Sequence, residues 1–562
     1  MKEKTIALLT KQTNLSKKEI EKLLEVPPSP ELGDYAFPCF LLSKKLKQNP
    51  NQIASNVVGK IKKSKEFEKI EARGPYINFF INRRGLAEKT LGKIQKEKGK
   101  YGSAKLSSDK VMIEFSQPNT HKAFHVGHVR GTSLGESISR ILELAGNKVV
   151  RANYSGDTGM HIAKWLWCYK KYHSKAKLKD DESWIAGIYV DAIKKLKENL
   201  DLQEEVDEVN RQLESRSNKE LNELWKKTRT ASIKSWEKIY KELNTKFDVH
   251  YFESEVEKPA KLLAKELVKK KIAKISEGAT VVDFKDFNAE NLGVFLLLRK
   301  DGTVLYGGKD MSLAERKFKE FKLDKSYYII GREQDLYFQQ VFKTFELMKS
   351  KAAGKSFHIM LSEVRLPTGK MSSRSGENIL YSDFKNELVD YAKIQIKKRH
   401  KTNEKELSRR ALAIAIASMK YAMLKQDANR TIIFNKEEAM KFEGNTGPYL
   451  LYTYARARNI LKKAKKTFSK KVTAKKIKDI EKILLSKLSS FPDIVARSYA
   501  ELAPSLIANY AYQLAKTFNE FYHSQQVINS QEEDFRLSIV EAFSQVLKNS
   551  LNLLGIETLE EM

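Results

Sequence analysis

Two histidines, His125 and His128, flank Val126 and Gly127 just where an apolar run gives way to a helical pattern. Imidazoles on the first turn of a helix can donate to phosphate oxygens as negative charge builds there. Gly127 between them leaves the backbone open to a flat base. A second group with the same chemistry is Leu366-Pro-Thr-Gly-Lys-Met-Ser-Ser-Arg-Ser-Gly376, a loop of small residues in which Lys370 and Arg374 can neutralise a triphosphate. Each motif has a plainer reading: two surface histidines beside a turn, and a basic surface loop. About 240 residues separate them, so they can act together only if one sheet carries both.

The elements around the histidines favour such a sheet. Val111–Phe115 is a short apolar run of the kind that forms a buried strand, and Pro118-Asn119 breaks it. Leu134, Ile138, Ile141, Leu142 and Ala145 then recur at helical spacing, with a stop at Gly146-Asn147 and a second strand over Lys148–Asn153. In an open parallel sheet, the carboxyl end of the first strand is where a nucleotide sits, with phosphate at a helix N-terminus.

Composition narrows the function classes. The chain has 562 residues, enough for three or four domains, and 41% are hydrophobic. Its 103 Lys and Arg against 71 Asp and Glu give a formal charge of +32, which points to a polyanion such as nucleic acid, or else to lysine spread over the surface. Cys39 and Cys168 are the only cysteines, so a disulfide framework and a four-cysteine metal site are both excluded, as suits a reducing cytoplasm. Thr5–Thr10 is too short for a signal h-region, and no apolar run approaches a bilayer span, so no membrane partner is expected.

Taken in order, residues 1–100 read as a small α+β unit ending after the strand-like Tyr76–Ile81, with aromatics Tyr35, Phe37 and Tyr76 available for stacking or for a core. A linker over Lys96–Lys110 leads to an α/β domain at 108–385, interrupted by an insertion at about 165–300 whose first part, to about 250, is helical. Strands are expected at Thr280–Phe284, Leu296–Arg299, Val304–Tyr306, Ser326–Ile330 and His358–Leu361, with a helix from near Gln334 to Ser350. A helical connecting region at 386–439 and an all-α domain at 440–562 follow.

Taken together the motifs resemble a known family. His125-Val-Gly-His128 is similar to the HIGH signature of class I aminoacyl-tRNA synthetases, and Lys370-Met-Ser-Ser-Arg374 to their KMSKS loop. The specific resemblance is to arginyl-tRNA synthetases. It runs through Glu114-Phe-Ser-Gln-Pro-Asn119, Lys122, Phe124, Asn153-Tyr-Ser-Gly-Asp157, Tyr306, Asp310, Gln334, Asn445-Thr-Gly-Pro-Tyr-Leu450, Leu553-Leu-Gly-Ile556 and Met562, covering essentially the whole chain. The resemblance implies a multidomain α/β protein: a Rossmann-type catalytic domain with a helical insertion, a small α+β N-terminal tRNA-binding domain and an all-α C-terminal anticodon-binding domain. It implies a cytoplasmic monomer that uses ATP with Mg2+ to make arginyl-adenylate from L-arginine and passes the arginyl group to the terminal adenosine of its tRNA. It also implies that tRNA must be bound for efficient activation, and no structural metal is expected.

Residue by residue, the resemblance assigns catalysis to Lys122, His125, His128 and Lys370, and ATP contacts to Gly127, Lys370, Met371, Ser372, Ser373 and Arg374. Tyr306 and Asp310 match the positions that grip the guanidinium, a planar permanent cation best held by a carboxylate. Spaced four apart, they can face the same way on a helix, although Asp310 also fits a helix N-cap and Tyr306 a strand core. Glu114, Ser116, Asn119 and Gln334 match positions around the amino-acid backbone and ATP. Tyr449, Tyr452, Arg456 and Met562 match the tRNA-binding side, where Arg458 also lies. The chain departs from the pattern in three places. Ser373 stands where the loop usually has its second lysine, and Lys122, three residues before His125, is placed to compensate. Tyr337 replaces a usual histidine, and His161 a common glutamine. A class I synthetase of other specificity and a non-catalytic tRNA-binding paralogue remain as alternatives, the first disfavoured by the Tyr306/Asp310 pair, the second by intact Lys122, His125, His128 and Lys370.

Overall fold

The computed structural model describes every residue except 63–64, 368, 371–379, 399–400 and 465–475. Two compact units are present. One comprises Met1–Tyr101, Ile460–Ser490 and Lys516–Val546, the other Gly102–Asn459, Phe491–Ala515 and Leu547–Met562.

The second unit is organised on a five-stranded parallel sheet. Its spatial order is Ser356–Leu361, Lys325–Gly331, Lys110–Glu114, Lys148–Ser155, Val249–Phe252. The chain lays down the central strand, moves outward twice, then returns to the other side of that strand. The order therefore reverses beside Lys110–Glu114, and the crevice at the carboxyl ends there is the place for a ligand. Val249–Phe252, inside the range expected to be wholly inserted, is the edge strand of this sheet. Four residues, Val-His-Tyr-Phe, are too few to show a period.

The helix Val126–Leu144 crosses behind the sheet with an almost wholly buried sequence. It can lie that close because Gly135 has no Cβ: one there would stand 2.1 Å from the Phe115 ring. Buried Arg151, from the second strand, locks it by ion pairs to Glu136 at 3.0 Å and Glu143 at 2.6 Å. At its far end Ser137 donates to the carbonyl of Leu553 at 2.7 Å, joining it to the end of the chain's last helix, Glu533–Leu553.

The insertion supplies the helices Met160–Tyr172, Glu182–Glu198, Leu202–Ser215 and Lys219–Glu242, packed around buried Trp165, Trp167 and Trp225. Beyond the edge strand, Ala279–Asp283 and Val294–Leu298 pair antiparallel in a small separate sheet. The expected strand Val304–Tyr306 does not form. Val304 makes one isolated bridge to Leu298, and Tyr306 instead opens the helix Tyr306–Phe321. Gly307 lets the first turn of that helix pack against Phe295, where a Cβ would stand 2.4 Å from the ring, and Gly308 leaves a tight fit against Val304, where a Cβ would stand at 3.2 Å.

The first unit holds an antiparallel sheet in the order Tyr35–Pro38, Tyr76–Ile81, Phe67–Arg73, with a core of Ile6, Leu9, Phe37, Ile77 and Phe79. Phe37 is fully buried and Tyr76 packs edge-on against Phe40, so of the three aromatics noted in the sequence Phe37 is core.

Candidate active site

The first strand ends at Glu114, and the chain then takes two residues through left-handed space, Ser116 at φ 76° and Gln117 at φ 54°. Non-glycine residues there cost about 1–3 kcal/mol each, and such strain gathers at functional sites. Local bonds hold the turn. The Gln117 backbone donates to Asn153 Oδ1 at 3.1 Å, and Gln117 Nε2 to Glu114 Oε1 at 3.1 Å. Ser116 Oγ is bonded to the Tyr240 hydroxyl at 2.9 Å and receives Thr132 Oγ1 at 2.9 Å. The Ser116 side chain, expected at the substrate, is thus buried and committed to the turn. Asn119 accepts from the Gly156 backbone at 3.2 Å, joining the first two strand ends.

His125 caps the helix Val126–Leu144. Its Nδ1 accepts the Gly127 N–H at 3.1 Å, while His128 Nδ1 accepts the His125 N–H at 3.1 Å, and the two rings stack with centroids 3.8 Å apart. With both Nδ1 atoms accepting, each neutral ring carries its proton on Nε2 and is a donor there. Burial, then the neighbouring Lys122, push His125 down to about 4, and burial, His125 and Lys122 take His128 well below its ordinary value. The pair therefore donates as neutral imidazoles at physiological pH. Gly127 is required by the capping ring itself: a Cβ would sit 2.9 Å from His125 Cε1 and Nδ1.

Lys122 is half-buried, with its ammonium 5.7 Å from the ring centroid of Tyr189 on the insertion helix. Burial first, then Lys164, lower its pKa, so a charged Lys122 gains from an arriving anion. The chain beyond the phosphate-loop signature meets the histidines: Leu380 pairs with His125 in an isolated bridge, and Tyr381 N donates to the Phe124 carbonyl at 2.8 Å. The backbone of Gly369–Lys370 is a strand against Val364–Leu366. Met371, Ser372, Ser373 and Arg374 lie outside the described residues, as does the side chain of Lys370.

Arg130, which the sequence reading passed over, ties these parts together. Buried on the signature helix, its guanidinium donates to the carbonyls of Ser362 at 2.5 Å, Glu363 at 3.0 Å, Ala428 at 3.1 Å and Arg430 at 2.6 Å. It fixes the start of the phosphate-loop hairpin to the histidine helix. Its only sequence signal was an arginine on an otherwise buried helical face.

The other end of the crevice is acidic. Tyr306 and Asp310 lie on the first two turns of Tyr306–Phe321, so Asp310 is inside that helix and does not cap it. Tyr306 is 65% exposed. The Tyr337 hydroxyl donates to Asp310 Oδ2 at 2.5 Å. Burial outweighs that bond and raises Asp310 to about 7, with Glu114 adding to the rise. The Tyr154 hydroxyl is buried with no hydrogen-bond partner, and burial with nearby Asp310, Glu253 and Glu114 raises its pKa well above normal. Glu253 accepts from Lys309 Nζ at 2.8 Å, and Glu114 is paired with buried Lys317. Gln334 stands exposed at the start of Asp335–Leu347. Glu253, Tyr154 and Lys309 were not among the expected site residues.

On the C-terminal side, Tyr449, Tyr452 and Arg456 lie on the helix Gly447–Ala464. Arg456 stacks over Tyr452 at 4.7 Å, and Tyr449 packs on Tyr512. Met562, expected to meet RNA, is 8% exposed: its apolar side chain is packed against the protein.

The whole chain has relatives among known proteins. Residues 90–436 match the family described as "tRNA synthetases class I (R), catalytic domain", 450–562 the "DALR anticodon binding domain", and 3–81 the "Arginyl tRNA synthetase N terminal domain". An arginine–tRNA ligase of Clostridium perfringens is 34% identical over 566 residues, covering 99% of this chain and 98% of that protein. One of Bdellovibrio bacteriovorus is 35% identical, covering 97% and 95%. Among solved structures, the arginyl-tRNA synthetase of Thermus thermophilus shares the fold with a TM-score of 0.80 at 24% identity, covering 96% of each chain. That of Plasmodium falciparum does so at 0.75 and 21%, covering 100% and 99%.

Proposed function

The chain belongs to the class I arginyl-tRNA synthetases, enzymes that are arginine–tRNA ligases, and from that premise we propose which of its residues carry each step. The reaction joins L-arginine to ATP, giving arginyl-adenylate and pyrophosphate, and then moves the arginyl group to the terminal adenosine of tRNA. The arginine carboxylate attacks the α-phosphorus, so the protein need only place the two and stabilise the charge that develops.

In this reading Asp310 and the phenols of Tyr306 and Tyr154 hold the guanidinium, with Tyr337 fixing one Asp310 oxygen and leaving the other for the substrate. Glu114, Asn119 and Gln334 border the backbone end of arginine, and Ser116 acts by holding the strained turn. The Nε2–H groups of His125 and His128 donate to phosphate oxygens, Gly127 leaves room for them, and Lys122 supplies charge beside them. Lys370, Met371, Ser372, Ser373 and Arg374 complete the phosphate side. Magnesium, when bound, neutralises phosphate charge. Besides Asp310, which is assigned to the substrate, the carboxylates Glu114, Asp157 and Glu253 are each paired with a lysine or arginine, a donor set that suits an ion carried on ATP better than one ligated by protein. Tyr449, Tyr452 and Arg456 meet the tRNA. A cytoplasmic monomer is part of the same reading, in keeping with two free, buried cysteines. No described helix is long and apolar enough to cross a membrane.

The observation that supports this most is the half-buried, protonatable Asp310 at one end of a crevice whose other end carries the capped histidine pair. ATP–pyrophosphate exchange with each amino acid, in the presence of the matching tRNA, is the test. Exchange with arginine alone is expected, and exchange that prefers another amino acid would overturn the assignment.

A further inference from the structure

On the helical insertion, away from the residues assigned to the reaction, three side chains with different metal-binding atoms converge. Cys168 lies near the end of the helix Met160–Tyr172, His173 caps that helix, and Asp191 projects from the middle of Glu182–Glu198. Their ligand atoms all lie within 4.8 Å of one another, with Cys168 Sγ 3.5 Å and His173 Nε2 2.8 Å from the same oxygen, Asp191 Oδ2. We propose that Cys168, His173 and Asp191 are a binding site for a thiophilic divalent cation, zinc by its donor set, with water as the fourth ligand.

Two of the three donor separations are close to those a tetrahedral ion needs, and the third, between Cys168 and His173, lies within 4.8 Å and must close by at most about 1.2 Å. Zinc binds sulfur at about 2.3 Å and nitrogen or oxygen at about 2.0–2.2 Å, so tetrahedral donors stand about 3.3–3.6 Å apart. The sulfur–oxygen separation already has that value. The histidine must draw back from the carboxylate by about half an ångström, which a side chain with a third of its surface in solvent can do. Thiolate, imidazole and carboxylate together favour zinc over the hard cations, which prefer all-oxygen sets. His173 and Asp191 are partly exposed, at 34% and 29%, and offer the entry path. On binding, the Cys168 thiol gives its proton to solvent and the thiolate takes the metal; no other bond is broken.

One cation already competes. Lys195 Nζ is 3.6 Å from Asp191 Oδ1, but it also lies 4.3 Å over the Tyr172 ring, so it keeps a partner when the carboxylate turns to a metal. A partly exposed pair of this kind, at 3.6 Å, is a weak competitor. The bound ion would clasp two insertion helices, one of which presents Tyr189 to Lys122. The site itself does not depend on the assignment of Lys122.

The test is a titration of the full-length, metal-stripped protein with cobalt(II), followed by zinc. The expected result is one equivalent of cobalt with a thiolate-to-cobalt charge-transfer band in the near ultraviolet, displaced by zinc, and a higher Tm with zinc. Cys168→Ser should abolish the band, and Cys39→Ala should leave it. His173→Ala, a change at the surface that leaves the fold intact, should weaken binding at least about tenfold, the scale on which even outer partners of a metal act. Lys195→Met should tighten binding about two- to fivefold by removing the competitor. A protein that retains no cobalt, a band that survives Cys168→Ser, or affinity unchanged by His173→Ala would each overturn the proposal.

Discussion

The two ends of the crevice are built from opposite charges by the same physical means. At the phosphate end, burial keeps His125 and His128 neutral and lowers the pKa of Lys122. At the acidic end, burial keeps a proton on Asp310 to about 7 and raises Tyr154 and Tyr337. Desolvation disfavours whichever form is charged, so it moves bases down and acids up. On the assignment proposed above, each end would receive a substrate that brings the counter-charge: phosphates for the lysine, a guanidinium for the carboxylate. The ends would then differ in what the substrate must do on arrival. ATP would meet donors already in their working form, whereas arginine would have to find, or create, an ionised Asp310. Under that proposal, selectivity for the amino acid rests on a proton, and phosphate binding does not.

The hardest blow to this contrast is struck at the acidic end. Asp310→Asn should cost about 2–5 kcal/mol in kcat/KM for arginine, the usual loss when one partner of a desolvated charge pair is removed. The Kd for tRNA should stay near its parent value. Steady-state exchange kinetics with a tRNA binding curve decide it: a variant with parental arginine KM and kcat would show that the carboxylate does not hold the guanidinium.

At the other end, Lys122→Ala should lower kcat about 10²–10³-fold, the effect of losing a preorganised charge from a closed site, with a smaller change in arginine KM. Ser373→Lys in that background should recover part of the rate, since both positions serve the same phosphates. A silent Lys122→Ala sinks the compensation between them. A severe Lys122→Ala that Ser373→Lys does not improve assigns Lys122 to packing against Tyr189 instead.

What the sequence disclosed of these two ends was uneven, for a physical reason. The histidine end was legible because its determinants are local: an apolar strand, a break, a capped helix and a glycine all lie within Lys110–Leu144. The acidic end is assembled from distant segments. Tyr306 and Asp310 lie four apart on one helix, the spacing that can bring them to one face, but that helix opens at Tyr306, where the run Val304–Tyr306 had read as a strand. Tyr154, Glu253 and Tyr337 reach Asp310 from three other elements, and no spacing in the chain announces them. Arg130 is similar, since its partners are backbone carbonyls more than 200 positions away. Edge strand Val249–Phe252 was missed because so short a run takes its structure from its neighbour Lys148–Ser155.

The finest test concerns Tyr337, which the family resemblance places where a histidine is expected. Its hydroxyl donates to Asp310 Oδ2, stabilising the anion against a burial that favours the acid. Because the folded-state value of about 7 lies above the ordinary 3.8, the arginine-free protein binds an extra proton between them, and this contribution to stability is lost as pH rises through that window. Arginine binding must expel the same proton. Its KM should therefore rise about tenfold for each unit below pH 7 and level off above, while KM for ATP shows no imidazole ionisation until near pH 4. A hydrogen bond to a charged group is worth about 1.5–3 kcal/mol, and one pKa unit about 1.36 kcal/mol. Tyr337→Phe should thus move the break in the arginine profile up by about one to two units, raising KM about 5- to 50-fold at pH 7, where the parent carboxyl is itself half protonated. Well above the shifted break the variant and parent should converge, because there the carboxylate is ionised in both. Tyr337→His, which restores a donor, should bring the break part of the way back. A purely structural tyrosine would raise KM equally at every pH, and a profile displaced in height but not in pH would refute its role in holding Asp310 ready for the guanidinium.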